Sequence, residues 1–213
     1  MFERVIMPQG KDYKFGSLAY GAHQKIIKYV GSNKKVLDVG CADGYLGKEF
    51  KNNGCFVVGI EDVVQKAEIA KKSLDDVVIG DIEELKTLPY PENFFDVIVF
   101  ADVLEHLIMP DSVLVSFKKY LKEEGVIIIS VPNIARIDIR IKLLLGEFNY
   151  TQGGILDKTH LRFFTLDSMR RLLTDSGYVV TRNDSSGYFS MFKACSFLSK
   201  LLAFQFILLA RPT

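Results

Sequence analysis

The sequence predicts an α/β fold built on a doubly wound, mostly parallel sheet of seven strands. Three observations carry that expectation. First, Val36-Leu37-Asp38-Val39-Gly40-Cys41-Ala42-Asp43-Gly44-Tyr45-Leu46-Gly47 reads as a buried strand, a tight glycine turn and a helix start. Second, apolar runs of strand length alternate with segments of helical periodicity through the first 130 residues. Third, Asp38, Glu61 and Asp81 stand in or just after the first three of those runs. Right-handed crossovers bring such positions to one edge, where ligands enter a parallel sheet.

In order, residues 1–15 read as irregular. From Ser17 to Val30, Tyr20, His23, Ile27 and Val30 fall at helical spacing, and Gly31 is a natural stop. This helix is placed to lie over a ligand site, with Tyr20 and His23 as candidate substrate contacts. His23 suits a partly buried position on a covering helix equally well. After the glycine turn a helix runs to about Asn53-Gly54. Cys55 to Ile60 is the second strand, and a helix through Ala67 and Ala70 follows. Val77 to Gly80 is the third strand, and Phe94 to Ala101 the fourth, nearly all apolar as a central parallel strand should be. A helix opens at Pro110-Asp111, buries Leu114, Phe117 and Leu121, and is expected to stop at Gly125. Val126 to Val131 is the fifth strand. Ile134 to Phe148 reads as a basic helix whose stripe is Ile134, Ile137, Ile141, Leu144 and Phe148. Thr165 caps a helix that ends at Gly177. Tyr178 to Asn183 and Phe204 to Arg211 complete the strands. One domain spans residues 1–213, with residues 133–163 as a substrate-side insertion.

Bulk composition narrows the function classes. The chain has 213 residues, enough for one domain with a sizeable core. A net charge of +1 gives no electrostatic footprint for nucleic acid. Cys41, Cys55 and Cys195 form neither a disulfide framework nor a zinc pattern, which points to a reducing, cytoplasmic setting. The charged start, with Glu3, Arg4, Lys11 and Asp12, does not read as a signal peptide. Phe197 to Ala210 is too short and too polar for a membrane span.

The turn itself discriminates between ligands. Gly40 and Gly44 permit positive φ and close approach of a ligand to the backbone. A dinucleotide fold would show G-x-G-x-x-G with pyrophosphate at the helix N-terminus. Here the spacing is Gly40-x-Ala42-x-Gly44, flanked by Asp38 and Asp43. Acids favour a ligand with a positive end over a diphosphate. Asp38, inside an apolar strand, also needs a partner if buried. Glu61, about 20 residues beyond the turn, suits a ribose diol. Asp81-Ile82 fits an adenine, with the carboxylate at the exocyclic amine and Ile82 on the ring.

These residues resemble the motifs of class I S-adenosylmethionine-dependent methyltransferases, whose first motif is usually written D-x-G-x-G-x-G. Ala42 replaces the middle glycine. Gly59-Ile60-Glu61, Gly80-Asp81-Ile82, Phe95-Asp96-Val97-Ile98 and Asp102-Val103-Leu104-Glu105-His106-Leu107 are similar to the later motifs. The resemblance implies a Rossmann-like fold and S-adenosylmethionine as cofactor, with S-adenosylhomocysteine as product. It assigns Asp38, Gly40, Cys41, Ala42 and Gly44 to the methionine end and Glu61 with Asp62 to the ribose. Asp81 and Ile82 go to the adenine, and Ala101 and Asp102 to the methionine side. The acceptor would be a small molecule or glycan intermediate, methylated on oxygen.

Two segments are candidates for acceptor chemistry. His106 follows the central strand and could serve as general base. Related quinone-biosynthesis O-methyltransferases carry a similar Glu-His segment, and some bind a divalent metal there. Glu105-His106 is thus open as base, metal ligands or a structural pair, and no metal site is assigned. Asp157-Lys158-Thr159-His160-Leu161-Arg162-Phe163-Phe164-Thr165 resembles a segment of methyltransferases linked with glycan or lipopolysaccharide assembly. It offers His160 as a second candidate base and Arg162 as a substrate contact, or a loop tied down by a satisfied histidine and a buried arginine. Two other functions fit the same fold: a nicotinamide-dependent oxidoreductase and a non-catalytic S-adenosylmethionine-binding subunit.

Overall fold

The computed structural model describes residues 20–187 and 200–213. Helix α1 (Tyr20–Val30) leads into β1 (Lys35–Val39), α2 (Tyr45–Asn52), β2 (Phe56–Glu61), α3 (Val64–Ala70) and β3 (Asp76–Ile79). The chain then returns to β4 (Phe95–Ala101), α4 (Pro110–Lys118) and β5 (Leu121–Pro132). Helices α5 (Ile137–Leu144) and α6 (Leu166–Asp175) precede β6 (Tyr178–Ser186) and β7 (Gln205–Pro212). The sheet has seven strands in the order β3-β2-β1-β4-β5-β7-β6. Strands β1 to β5 pair in parallel, and β7 runs antiparallel to both β5 and β6.

Period-two burial explains the layers. Leu37 and Val39 point to one face, where they join Ile98, Phe100, Ile127 and Ile129 beneath Leu114 and Phe117 of α4 and Met169 and Leu173 of α6. Val36 points to the opposite face, beneath Ile26 of α1, Phe50 of α2 and Ala67 of α3. A strand covered on both sides is apolar at nearly every position. Asp38 shares the Val36 face, so its carboxylate is directed under α1 and α2 rather than into the α4–α6 layer. The order reverses between β1 and β4, which opens the ligand crevice at their C-terminal ends.

Three expectations shift in the folded chain. Helix α4 ends at Lys118, and Gly125 lies within β5 rather than at a helix stop. The sheet claims this segment early: the Tyr120 carbonyl accepts from the backbone N–H groups of Phe94 and Phe95, and Leu121 pairs with Phe95. Helix α5 is shorter than expected and its predicted stripe faces outward. Ile137, Ile141, Leu144 and Phe148 are exposed, Leu144 at 86%. The inward residue is Ile139, which packs with Ile155 and Leu156 in a small separate cluster. The fifth-strand run extends back to Leu121, because Leu121 pairs with Phe95 across a register shift and carries the strand through the polar Lys122, Glu123 and Glu124.

Residues 17–19 of the first predicted helix and Cys195 lie outside the described residues. So does the first part of the 197–210 apolar run; the rest is a short helical turn followed by β7. No helix among the described residues is long and apolar enough to cross a membrane.

The Thr165 cap is present. Its side chain accepts from the Ser168 N–H while Ser168 returns a bond to the Thr165 N–H. Thr165→Ala should therefore cost about 1 kcal/mol of stability. Urea unfolding of the two proteins checks this value.

Candidate active site

Between β1 and α2 the chain turns through three left-handed residues: Gly40 (φ 70°), Ala42 (φ 50°) and Gly44 (φ 82°). The turn is fastened to β2. The Gly40 and Cys41 N–H groups both donate to the Ile60 carbonyl, at 2.9 and 3.0 Å. The Ala42 N–H donates to Glu61 Oε2 at 2.9 Å. Gly40 is exposed at the crevice. A Cβ there would come within 2.7 Å of Val103 Cγ2, so the floor of the turn is closed by the β4 loop. Gly44 is needed for a different reason: a Cβ would crowd Ala70 and Ser73, at 3.1 Å from each.

Asp38 is buried directly beneath this turn, at 2% exposure. It lies against Gly47 in the first turn of α2, whose backbone N–H favours the charged form. Oδ2 has no hydrogen-bond partner among the described residues. Gly47 makes room for it, since a Cβ there would lie 3.2 Å from Oδ2 and 2.6 Å from Leu74. Burial pushes the Asp38 pKa up to about 7, opposed by the Gly47 N–H and reinforced by the Glu61 charge. Burial likewise raises Glu61, although Val63 N–H and Lys66 oppose it. Cys41 is buried between the two acids, and desolvation pushes its thiol strongly upward. A buried, underbonded carboxylate beside further acids is a site that lacks positive charge. A cationic ligand end would supply it.

The end of β4 carries a second polar group. Asp102 has φ 57°. Its carboxylate accepts from Ser130 Oγ at 2.8 Å and from Gln205 Nε2 at 2.7 and 2.8 Å. His23 Nε2 of α1 stands 3.9 Å from Asp102 Oδ2 and 3.3 Å from the Tyr45 hydroxyl. Burial lowers the His23 pKa, with Asp102 opposing. Ser130 and Gln205, which sequence reading missed, hold the Asp102 carboxylate in place. Their signal was a polar residue inside an apolar strand, at 0% and 3% exposure.

One turn further on, Glu105 is 1% exposed and neither carboxylate oxygen has a partner among the described residues. His106 and His160 approach it from two segments. Their rings meet edge to face, with centroids 4.9 Å apart. His106 Nδ1 lies 3.2 Å from the Thr159 carbonyl, and His160 Nδ1 lies 3.0 Å from the Ile155 carbonyl. The loop is tied down by the Leu161 and Arg162 N–H groups, which both donate to the Glu105 carbonyl. Burial raises the Glu105 pKa well above the carboxylate range, with Asp102 adding to it. Burial and His160 together lower that of His106.

The remaining candidates are placed as follows. Ala101 ends β4 beside the glycine turn's strand. Asp62 is exposed, and its neighbouring charge adds to the rise in the Glu61 pKa. Asp81 follows β3 and caps a turn, its Oδ1 accepting from Glu83 N–H. Ile82 is half-buried against the α4–α6 side of the core. Arg162 is exposed rather than buried, and its Nη2 donates to the Ile108 carbonyl. Tyr20 begins α1. The structure thus gathers Asp38, Glu61 and the turn into one group. Asp102 with His23 forms a second group, and Glu105, His106 and His160 a third.

A family model described as a methyltransferase domain matches residues 18–183. The chain belongs to that methyltransferase family. It is an S-adenosylmethionine-dependent methyltransferase, and the nicotinamide and non-catalytic alternatives give way to that assignment. The ubiquinone biosynthesis O-methyltransferase of Schizosaccharomyces pombe is 28% identical over 164 residues, covering 73% of this chain and 58% of that protein. That of Actinobacillus pleuropneumoniae is 35% identical over 109 residues, covering 47% and 46%. The methyltransferase thus spans about half the length of the curated relatives it matches. The solved structure of a SAM-dependent methyltransferase from Archaeoglobus fulgidus superposes with a TM-score of 0.68 at 20% identity, over 94% of this chain and 100% of that one. A Burkholderia thailandensis 1,6-didemethyltoxoflavin N1-methyltransferase, solved with S-adenosylhomocysteine, superposes at 0.63 with 18% identity, covering 92% and 79%. These two likenesses show the shared fold. S-adenosylmethionine is the cofactor of the methyltransferase, and the unpartnered Asp38 oxygen under an open turn fits a ligand with ammonium and sulfonium charge.

The Asp38 proton has a measurable consequence. An ordinary carboxylate titrates near about 3.9. Folding raises this one, so its contribution to stability is fully present below about pH 4 and is lost as pH rises through about 7. Asp38→Asn should remove that slope. The ligand-free variant should exceed wild type by about 1–3 kcal/mol at pH 8 and match it near pH 4.5. Urea titrations at the two pH values read the difference.

Proposed function

We propose that this methyltransferase transfers the methyl group to a hydroxyl of a small molecule or glycan intermediate. The observation that carries the reading is the Glu105–His106–His160 cluster at the β4 edge. Its side chains present acceptor lone pairs, which is what a hydroxyl acceptor requires as its proton leaves. The curated relatives named above as O-methyltransferases support the same chemistry. Single-domain organisation, with residues 133–163 as the substrate-side insertion, belongs to this reading. So does a cytoplasmic location, supported by the free, buried thiols of Cys41 and Cys55.

S-adenosylmethionine is consumed as a substrate and supplies a methyl group already activated by its sulfonium charge. The chain's own residues bind, orient and exclude water. Asp38 and the turn of Gly40, Cys41, Ala42 and Gly44 hold the methionine end. Glu61, with Asp62 beside it, takes the ribose hydroxyls, and Asp81 with Ile82 takes the adenine. Ala101 and Asp102 line the methionine side, with Asp102 fixed by Ser130 and Gln205. The acceptor lies between α1 and the insertion, with Tyr20 and His23 of α1 as its candidate contacts. Arg162 braces the far wall through Ile108. The gain comes chiefly from alignment of the two reactants in a crevice closed to water.

Glu61→Ala should weaken S-adenosylmethionine by about 1.5–3 kcal/mol, because charge-assisted bonds to a buried ligand are lost. Calorimetry on the folded variant gives the affinity; an unchanged value removes Glu61 from the ribose. The function itself is tested by incubating the enzyme with methyl-labelled S-adenosylmethionine and fractionated small-molecule and glycan extracts. A labelled methyl ether is the expected product. Label on nitrogen or carbon overturns the reading.

A further inference from the structure

We propose that Glu83 is a positioning residue that couples the cofactor side of the crevice to the acceptor-side loop, so that bound cofactor tightens the segment carrying His160 and Arg162. The inference deepens the function proposed above and rests on its placement of the adenine at Asp81 and Ile82. Sequence motifs give Glu83 no role; its carboxylate acquires one from what it holds.

The chain of contacts is short. The loop after β3 hangs from the end of β2, where the Gly80 N–H donates to the Glu61 carbonyl at 3.0 Å. Asp81 Oδ1 then accepts the Glu83 N–H at 2.9 Å, so the carboxylate assigned to the adenine and the backbone of Glu83 are set together. Ile82 and Leu85 anchor this loop on the α4–α6 side of the core, and Glu83 between them is exposed. Its side chain reaches the segment that follows β4. Oε1 accepts the Met109 N–H at 2.7 Å, and Oε2 accepts the Ile108 N–H at 3.2 Å. The Ile108 carbonyl in turn accepts from Arg162 Nη2.

The Ile108 carbonyl and the Met109 N–H belong to one peptide group. That group stands between a carboxylate and a guanidinium, donating to the first and accepting from the second. Both bonds are charge-assisted, and each polarises the peptide in the sense that strengthens the other. The same carboxylate serves α4. Met109 is the N-cap residue of that helix and supplies no side-chain cap, so Glu83 brings the negative charge favoured there from another segment. Beyond Arg162 the chain closes on the acceptor side. The Leu161 and Arg162 N–H groups donate to the Glu105 carbonyl at 2.8 and 2.9 Å, and His160 precedes them.

Exposure makes this strap responsive. Charged contacts at the surface are screened by water and gain little over the entropy of the side chains they hold. Ile108, Met109 and Leu161 are exposed as well, at 61%, 54% and 57%, so little packing backs the strap. In the free enzyme the hold of Arg162 on Ile108 is therefore marginal. An adenine on Asp81 and Ile82 fixes the backbone of Glu83, so less disorder is left to remove when Arg162 engages. Linkage makes the effect reciprocal: fastening the loop raises cofactor affinity by the same factor. The result is an order of assembly, in which the acceptor-side wall is completed once the methyl donor is in place.

The test follows amide hydrogen exchange of the full-length enzyme with and without saturating S-adenosylhomocysteine, with no acceptor present. The backbone N–H groups of residues 161 and 162 are the reporters, and residues 40–44 show that the ligand is bound. In wild type the ligand should slow both reporters about fivefold or more, the low end of coupling between sites. In Glu83→Ala and in Arg162→Gln the slowing should vanish at the reporters and persist at residues 40–44. A merely structural Glu83 would raise exchange equally in both states and leave the ligand-dependent difference intact. That result overturns the proposal, as does an absence of slowing in wild type. Calorimetry checks the linkage. Each variant should bind S-adenosylhomocysteine about fivefold more weakly, and the double variant no more weakly than either. Additive losses overturn the strap. The adenine placement fails on a separate measurement, an unchanged S-adenosylhomocysteine affinity in Asp81→Ala.

Discussion

The constraint on which the cofactor half depends is the burial of the Asp38 carboxylate beneath the start of α2, packed against Gly47. It leaves the glycine turn as the chain between the centre of β1 and that helix start. Gly47 is a glycine because a Cβ would push against Asp38, Leu74 and Val57. Glu61 then holds the turn from the other side through Ala42 N–H and Val63 N–H. Two carboxylates so close raise each other's cost in the folded chain. Selection for stability alone would have placed an apolar side chain at position 38. The strain is of the kind that a bound positive charge relieves, and it ties the fold's least favourable electrostatics to its ligand.

Much of this was legible from residue order. Strand positions followed from apolar runs, and Asp38 and Glu61 were singled out before any coordinates because they stand in the first run and at the end of the second. The glycine turn was readable because backbone conformation at φ above zero restricts residue type. What periodicity mishandled was local context. Helix α5 carries its apolar residues on a rim with no second layer above most of them, so the expected stripe had nothing to bury against. Gly125 looked like a helix stop because glycine ends helices and also relieves crowding within strands. The Glu105–His160 encounter was beyond a single sequence, since it joins segments from opposite sides of α4 through a loop whose path no pattern encodes.

The two halves of the site are built differently. The cofactor half stands on strands β1 and β2 and on the helix α2, whose backbone bonds are satisfied within the sheet. The segment proposed to face the acceptor is tied just beyond β4 at the Glu105 carbonyl, which receives both Leu161 and Arg162 N–H. That peptide group is one of several ties on the loop that carries His160, beside His106 Nδ1 at the Thr159 carbonyl and Arg162 Nη2 at the Ile108 carbonyl. Such a division suits an enzyme family in which one donor meets many acceptors: the fixed part serves the donor, and loops on the rim are free to differ.

Ala42 carries a lesson in substitution vocabulary. At φ 50° it occupies the left-handed region where glycine rests without penalty and where asparagine and aspartate are the other common tenants. Branched side chains are barred from it by their own backbone, whatever space the crevice offers. The repertoire at position 42 is therefore a handful of small residues, and alanine is the one that adds a methyl group without adding a hydrogen-bonding atom. A pattern search that demands glycine at this point would pass over the chain, although its backbone holds the left-handed conformation that glycine favours. The shape of the turn is the heritable quantity, and glycine is only its commonest spelling.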